Sequence, residues 1–567
     1  MTHSVFAAGR LALAFSLLAG LAGRASAGGG PENVFLVVNQ NGPSSMQVAN
    51  HYIELRKIPP SNVYYVRTPP RWNAIPAVDF RDRILRPMLA EIERRGLTPQ
   101  IDQIVYSCEF PWYVDFANTF AKSPLKPQNR PRVSLTSATY FHTSVEHEDP
   151  AITDLTNNAY FTPPGLDGTP TQGFRSSYQW APGGKRVPAG GKRYLLATSL
   201  GFVQPDCSTV PEIVTYLDRA AAADGTKPNG TFYFMRNADI RTRDRQPLYP
   251  AVVAELRSLG RRAEIVAGVV PTGKEDIAGL TTGAPYVRLT SAGCRLLPGA
   301  LVDNLTSQGA VLMPIINPKQ QTRVTEYLRE GAAGASGTII EPFAIIVKFP
   351  LPCLHVHYAR GCTLAEAFYQ ATPGPFQLLV VGDPLCRPYA DIPEVSVKGL
   401  EGEMISGQVE IEPSAKLAPG RLVDHFELFV DGVRRLSAPA GQKLPLDTTT
   451  LGDGFHEVRV VVVDNTPVET QGRWIGDVVI RNGHDAVEVK AVDGPRITGD
   501  QAALLVASSI DGVTDVFHNG RSVGRIQGRQ GRLQVPTAKL GKGRVMLQAR
   551  AAGKTGPRSR PLWLEIL

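Results

Sequence analysis

From residue 33 onward, short apolar runs alternate with stretches in which apolar residues recur at helical spacing. Val34-Phe-Leu-Val-Val38 is apolar throughout, the pattern of a strand covered on both faces of a parallel sheet. It ends at Asn39-Gln-Asn-Gly42. Ser44 and Gln47 have the spacing of a capping box. Val48, Ala49, Tyr52 and Ile53 then mark a helix that Ile58-Pro-Pro60 stops. Val63–Val66 reads as the next strand, and Phe80–Arg95 as a helix closed by Gly96. Ile101–Tyr106 reads as a buried strand ending at Ser107-Cys108-Glu109.

Residues 115–190 break this rhythm. They are rich in Pro, Thr, Asn, Ser, Gly and aromatics, with little periodicity, and predict a partly ordered insertion lying over the sheet. The alternation resumes at Tyr194–Ser199. Val210–Ala222 predicts a helix, Thr231–Met235 a strand, and Pro250–Leu259 a helix ended by Gly260. Ala263–Val269, Tyr286–Leu289 and Ala310–Met313 have the composition of strands, and Lys319–Glu330 that of a helix before Gly331. Gly334–Ile340 and Phe376–Val381 read as two more strands, with Thr363 and Glu366 boxing the helix between them. Repeated strand–helix–strand units predict an α/β body with a mostly parallel sheet over residues 31–390.

From about Ile392 the pattern becomes all-β and repeats itself. Phe429-Val-Asp-Gly432 recurs as Phe517-His-Asn-Gly520, 88 positions later. Leu451-Gly-Asp-Gly454 recurs as Leu540-Gly-Lys-Gly543, and Trp474 before Val479-Ile480 is echoed by Trp563 before Glu565-Ile566. Asp-Gly and Asn-Gly are strong hairpin turns. The period suits two immunoglobulin-like sandwiches, each running to about 100 residues, at 393–482 and 484–567; one large β domain is the alternative.

The N-terminus adds a location. Arg10, an apolar run from Leu11 to Ala22 and Ala25-Ser26-Ala27 are the parts of a cleavable secretory signal over residues 1–27. The run is too short for a spanning helix, which needs about 20 apolar residues. These features predict a mature chain without a transmembrane segment, exported to the periplasm, the cell surface or the medium. The formal charge of +8, or +6 without Arg10 and Arg24, is mild for 567 residues. No basic cluster interleaves with aromatics, which excludes a concentrated nucleic-acid face. The six cysteines all precede residue 390, so the tail is built without disulfides.

Chemistry-bearing residues stand at predicted strand ends. Asn39, Glu109, Glu341 and Asp383 each follow an apolar strand, and in open α/β sheets ligands bind outside the carboxyl ends of strands. These four are the expected binding rim. Their alternative role is to cap the helices and turns that follow. His355 and His357, in Cys353-Leu-His-Val-His357, would share one face of a strand and are candidate bases or metal ligands. A third ligand is not evident, so no metal site is assigned. The glycine-rich loops that cradle phosphates are absent from the strand–helix junctions, and no cofactor is expected.

Three segments carry a family resemblance. They are Asn33-Val-Phe-Leu-Val-Val-Asn39 with Tyr52-Ile-Glu-Leu-Arg-Lys-Ile-Pro59, then Gly331-Ala-Ala-Gly-Ala-Ser-Gly-Thr-Ile-Ile-Glu-Pro342, then Leu364-Ala-Glu-Ala-Phe-Tyr369 before Val380-Val-Gly-Asp-Pro-Leu-Cys386. In this order they resemble an uncharacterised family of exported bacterial proteins found in genomes that carry exosortase sorting systems. The last two segments also look like the end of the gingipain-type cysteine peptidase fold, a relative of caspases, over roughly residues 230–390. That resemblance implies a His at one strand end and a nucleophilic Cys at the next. Here Tyr286–Leu289 leads into Thr290-Ser291-Ala292-Gly293, and Leu301–Ser307 offers Thr306 and Ser307 in place of the Cys. Cys294 lies just past the first strand end.

Two functions follow from this reading. One is a non-catalytic caspase- or gingipain-like scaffold that binds an extracytoplasmic protein or glycan. The other is a hydrolase, peptidase-like or otherwise, working at the strand-end rim, with Glu109, Glu341 and Asp383 as its carboxylates and Cys294, Ser307, His355 and His357 as its candidate catalytic residues.

Overall fold

Val34–Asn39 (β1), Val63–Val66 (β2), Gln103–Tyr106 (β3) and Leu196–Ser199 (β4) begin the central sheet. Thr231–Arg236 (β5), Arg262–Ala267 (β6), Ile277–Thr282 (β7), Leu296–Asn304 (β8), Gly334–Thr338 (β9) and Leu378–Gly382 (β10) complete it. The computed structural model describes residues 29–567 apart from 70–72, 124, 164–167, 316–319, 403 and 554. The expected signal peptide, and Lys319 at the start of an expected helix, lie outside the described residues. Among the described residues no helix is long and apolar enough to cross a membrane.

The strands lie in the order β6-β5-β7-β8-β9-β10-β4-β3-β1-β2. Every residue of β1, β3, β4, β7, β9 and β10 is buried, so both faces of the sheet are covered there. That is why the first strand reads as an unbroken apolar run. Neighbours pair in parallel except β9 with β10, which are antiparallel, Gly334 opposite Gly382 and Thr338 opposite Leu378. β10 is in turn parallel to β4 through Val381 and Ser199. The sheet is therefore two five-stranded halves pointing in opposite directions.

Helix α1 (Pro43–Arg56) does not begin at the Ser44 box. Gly42 is its N-cap and Pro43 its first residue, where the missing proline N–H costs nothing. Gln47 plays no capping part, because the Glu109 carboxylate accepts the Ser45 N–H at 3.0 Å instead. The box at Thr363 and Glu366 is present and opens the helix Leu364–Ala371. Tyr286–Leu289 and Ala310–Met313 are not strands. The sheet uses Ile277-Ala-Gly-Leu-Thr-Thr282 instead, whose Gly279 leaves room for the rings of Phe232 and His355.

The 115–190 stretch carries short elements, among them Arg132–Ser134, Leu135–Tyr140 and Gln179–Ala181. Its aromatics hold it down: Tyr140 stacks on both Tyr194 and Tyr369 with centroids 4.3 Å apart, and Tyr160, Phe174 and Trp180 form a second cluster. The Ser134 hydroxyl donates to the Leu378 carbonyl at 2.7 Å, tying the stretch to the start of β10.

The tail consists of antiparallel sheets in two sandwiches. In the first, Glu394–Lys398, Gln408–Lys416 and Leu444–Asp447 face Val423–Val430, Val433–Pro439, Gly454–Asp464 and Gln471–Ile480. Ile411 and Leu444 from one sheet share a core with Leu428, Val460 and Ile480 from the other. In the second, Val487–Ala491, Gln501–Ser508 and Gln530–Pro536 face a five-stranded sheet that includes Val513–His518, Arg521–Gln527, Gly543–Ala551 and Leu562–Ile566. Arg496–Ile497 pairs in parallel with the end of Leu562–Ile566. The repeated Phe429–Gly432 and Phe517–Gly520 segments form the same hairpin turn in each sandwich.

Candidate functional site

The four rim residues do not converge. Because the half-sheets run in opposite directions, the ends of β1, β3 and β10 lie at one edge, with Asn39, Glu109 and Asp383. Glu341, beyond the end of β9, lies at the other. Each also has a local partner. Asn39 Nδ2 donates to the Glu109 carbonyl at 2.9 Å. Glu109, in a left-handed conformation (φ +59), caps α1. Asp383 is fully buried and accepts from Tyr52 Oη at 2.9 Å and Arg56 Nε at 2.8 Å. Glu341 Oε1 accepts the Phe343 N–H at 2.8 Å.

His355 and His357 stand on a helix, Leu354–Ala359, and not on a strand, so they point to different neighbours. His355 Nε2 meets Thr281 Oγ1 and His357 Nδ1 meets Thr171 Oγ1, both at 3.0 Å. Burial pushes each imidazole down to about 3, so both are neutral at ordinary pH. Cys294 Sγ donates to the Pro271 carbonyl at 3.2 Å, and burial raises its thiol, the wrong direction for a nucleophile. Ser307 N–H donates to Gln321 Oε1 at 2.9 Å. Among the described residues no hydrogen bond joins either histidine to Cys294 or Ser307. All six cysteines are free thiols, and among the described residues no group of three or more His, Cys, Asp or Glu is arranged to hold a metal ion.

The structure does build a cavity elsewhere, starting from the segment that stops α1. Lys57 ends the helix in a left-handed conformation, and Pro59 and Pro60 cannot continue it. Asn62 Nδ2 pins the segment by donating to the carbonyls of Glu32 (2.9 Å) and Val34 (3.0 Å). Both repeated turns rest on it. Asp431-Gly432 and Asn519-Gly520 have positive φ throughout, as type I′ hairpins require. A Cβ on Gly432 would strike Pro59 and Ser61, and one on Gly520 would stand 2.9 Å from the Pro60 carbonyl oxygen. Gln100 Nε2 donates to the Gly432 carbonyl at 2.7 Å, and Asn519 Nδ2 to Tyr65 Oη at 3.0 Å. Arg521 lies over the Tyr65 ring, 3.8 Å from its centroid.

Charge completes the docking. Glu32, fully buried, accepts from Arg459 Nη1 at 3.0 Å and Arg473 Nε at 3.2 Å, which joins the body to the first sandwich. Burial opposes its ionisation, but the two guanidinium groups outweigh burial and hold its carboxyl below the ordinary 4.5. Asn50 Nδ2 donates to the carbonyls of Leu540 (2.9 Å) and Lys542 (3.0 Å), which joins α1 to the second sandwich.

Between the body and the two sandwiches lies a cavity of about 560 Å³, within the range of small-ligand sites. Among the described residues, eight arginine or lysine side chains and four carboxylates line it, with Phe455, Phe517 and Trp563. Arg544 pairs with Glu54 at 2.5 Å and lies over Trp563, 4.5 Å from its centroid. Arg558 pairs with Asp431 at 2.8 Å. Arg550 lies over Phe517 at 5.5 Å; burial and then the neighbouring Arg558 lower its hold on its proton. Among the described residues the side chains of Arg550, Arg435 and Lys57 make no hydrogen bond or ion pair with the protein. Sequence reasoning missed this site because its residues come from eight separate segments between Asn50 and Trp563. The paired Asp-Gly and Asn-Gly turns were its one visible sign.

No protein-family model matches the sequence, and no curated protein matches it. Among solved structures, the Clostridium thermocellum CbhA fibronectin(III)-like modules are similar at 14% identity, over 31% of this chain and 93% of that one, with a TM-score of 0.14. The Bacteroides ovatus mixed-linkage glucan utilisation locus SGBP-B, in complex with a mixed-linkage heptasaccharide, is similar at 15% identity over 31% and 47%, with a TM-score of 0.19. The Parabacteroides merdae β-glucuronidase is similar at 12% identity over 64% and 52%, with a TM-score of 0.13. The chain spans about half the length of the latter two. At these scores the likenesses carry no argument about this chain.

Proposed function

We propose that the protein is an exported, non-catalytic scaffold that binds a protein or glycan outside the cytoplasm, with the three-way cavity as its binding site. Its body is read as a caspase- or gingipain-like frame that has lost its dyad, and its two sandwiches as immunoglobulin-like modules. The observation that carries the reading is the cavity, where uncommitted cationic side chains and aromatic rings from body and modules face one space. The strand ends support it. β7 and β8 are hydrogen-bonded neighbours, as a strand-end His and Cys would need. They lead into Gly283-Ala284 and Leu305-Thr306-Ser307, which offer neither residue. The N-terminal sequence pattern supports export, and the three sequence segments support membership of the exosortase-associated family.

The test is turnover against binding. The mature chain is offered a broad peptide library and, in parallel, an array of glycans and extracytoplasmic proteins. The expected result is no hydrolysis and saturable binding that Trp563→Ala weakens. Hydrolysis abolished by Cys294→Ala or Ser307→Ala overturns the scaffold in favour of the hydrolase.

A further inference from the structure

We infer that the junction cavity takes an acidic sugar, a carboxylate-bearing pyranose unit of an oligosaccharide. This rests on the reading of the cavity as the binding site and names its ligand class.

Three features of the lining point there. Its cations outnumber its carboxylates two to one, eight against four. Five of the eight are already committed: Arg544 to Glu54, Arg558 to Asp431, Arg94 and Arg95 to Glu91, and Arg459 to Glu32 and Glu457. Arg550, Arg435 and Lys57 are left bordering the space with no side-chain hydrogen bond or ion pair among the described residues. A guanidinium offers paired N–H groups that fit a carboxylate. The rings supply the other half of a sugar site. Trp563 is 40% exposed, and Phe517 and Phe455 also border the space. Such faces take the C–H side of a pyranose, and the guanidinium carbons of Arg544 and Arg550 stand over two of these rings, 4.5 and 5.5 Å from the centroids of Trp563 and Phe517. Size favours a short saccharide over an extended peptide, since 560 Å³ suits a compact ligand and no β-strand edge is needed to hold it.

The arrangement also sets what is excluded. Asp477 lines the cavity with its carboxyl raised by burial, and Glu457 is turned to Arg459. A polyanion as dense as a nucleic acid would meet these acids, whereas one carboxylate per sugar can be met by the three open cations.

The experiment is titration calorimetry of the full mature chain with a galacturonate trisaccharide, its carboxyl-reduced neutral counterpart and an oligo-glutamate peptide. The acidic sugar is expected to bind about tenfold or more tightly than the neutral one. Arg550→Gln should remove most of that difference, and Trp563→Ala should weaken both sugars. Arg435→Gln, at an exposed and unpaired position, repeats the test if Arg550→Gln fails to fold. Equal binding of the two sugars overturns the inference and leaves the binding role standing. Binding of the peptide alone does the same. Loss of all binding, with turnover found in the peptide library, overturns the role as well.

Discussion

Replacing Gly432 by alanine measures how firmly the first repeated turn is seated. Gly432 has φ +78. A residue with a Cβ pays about 1–2 kcal/mol for a left-handed conformation, less roughly 0.4–1 kcal/mol because alanine restricts the unfolded chain. Gly441, in the same sandwich, supplies the reference: its φ is +80 and nothing lies within 4 Å of where a Cβ would stand. Gly441→Ala therefore carries the conformational cost alone, about 1 kcal/mol. At Gly432 the added carbon overlaps Pro59 and the Ser61 hydroxyl. Pro59 is a rigid ring, and Asn62 pins the segment, so overpacking adds about 1–3 kcal/mol. Gly432→Ala should then cost about 2–4 kcal/mol in total. Hydrogen exchange of the full chain, followed in peptides covering 423–439 and 58–66, reads local opening without assuming a single unfolding transition. Gly432→Ala should lower protection in both peptides, and Gly441→Ala in neither to the same degree. Equal losses in the two variants, or an unchanged 58–66 peptide, would refute the seating.

Arg56→Met should destabilise the body by about 3–5 kcal/mol, because it leaves the fully buried Asp383 and its neighbour Asp224 without their shared cation; denaturant unfolding checks it. Acid should loosen the docking of the first sandwich. Glu32 has a folded value below its unfolded 4.5, so its contribution is present above 4.5 and is lost as pH falls through the folded value; limited proteolysis across that range reads the release. His355, His357 and His518, each held neutral with a value of about 3, bind protons more readily when unfolded, so stability should fall as pH drops below 6.5; thermal melts from pH 7.5 to pH 5 check the sign. Cys294 should be alkylated more slowly than free cysteine at neutral pH, since burial raises its thiol; iodoacetamide labelling with mass mapping measures it.

The sheet's apolar strands were legible because burial on both faces leaves an unmistakable run, as in Val34–Val38. Where a strand is made of glycine and threonine, as in Ile277–Thr282, the run vanishes. More conspicuous apolar segments nearby, Tyr286–Leu289 and Ala310–Met313, then read as strands although they are loops. The histidines failed for a related reason. A helix as short as Leu354–Ala359 has too few turns to show a period, and i, i+2 spacing means one face only on a strand. The direction of each strand is not written in its own residues, so the antiparallel step from β9 to β10, which separates Glu341 from Asn39, Glu109 and Asp383, had no signal in the chain. The cavity was least legible of all. Its lining is set by how the sandwiches sit on Pro59-Pro60, and no window of sequence contains both sides of that contact.

The position of β10 has a consequence for how the chain assembles. Residues 34–199 supply four adjacent strands of one half-sheet, and residues 231–338 supply the whole of the other. Each can form from contiguous chain as synthesis proceeds. Nothing joins them edge to edge until Leu378–Gly382 arrives and inserts between β4 and β9, parallel to one and antiparallel to the other. Until then both halves carry an open edge able to pair with another molecule. This five-residue strand is thus the closing piece of the body, and a nascent chain halted before residue 378 would be two unfinished sheets awaiting the same partner.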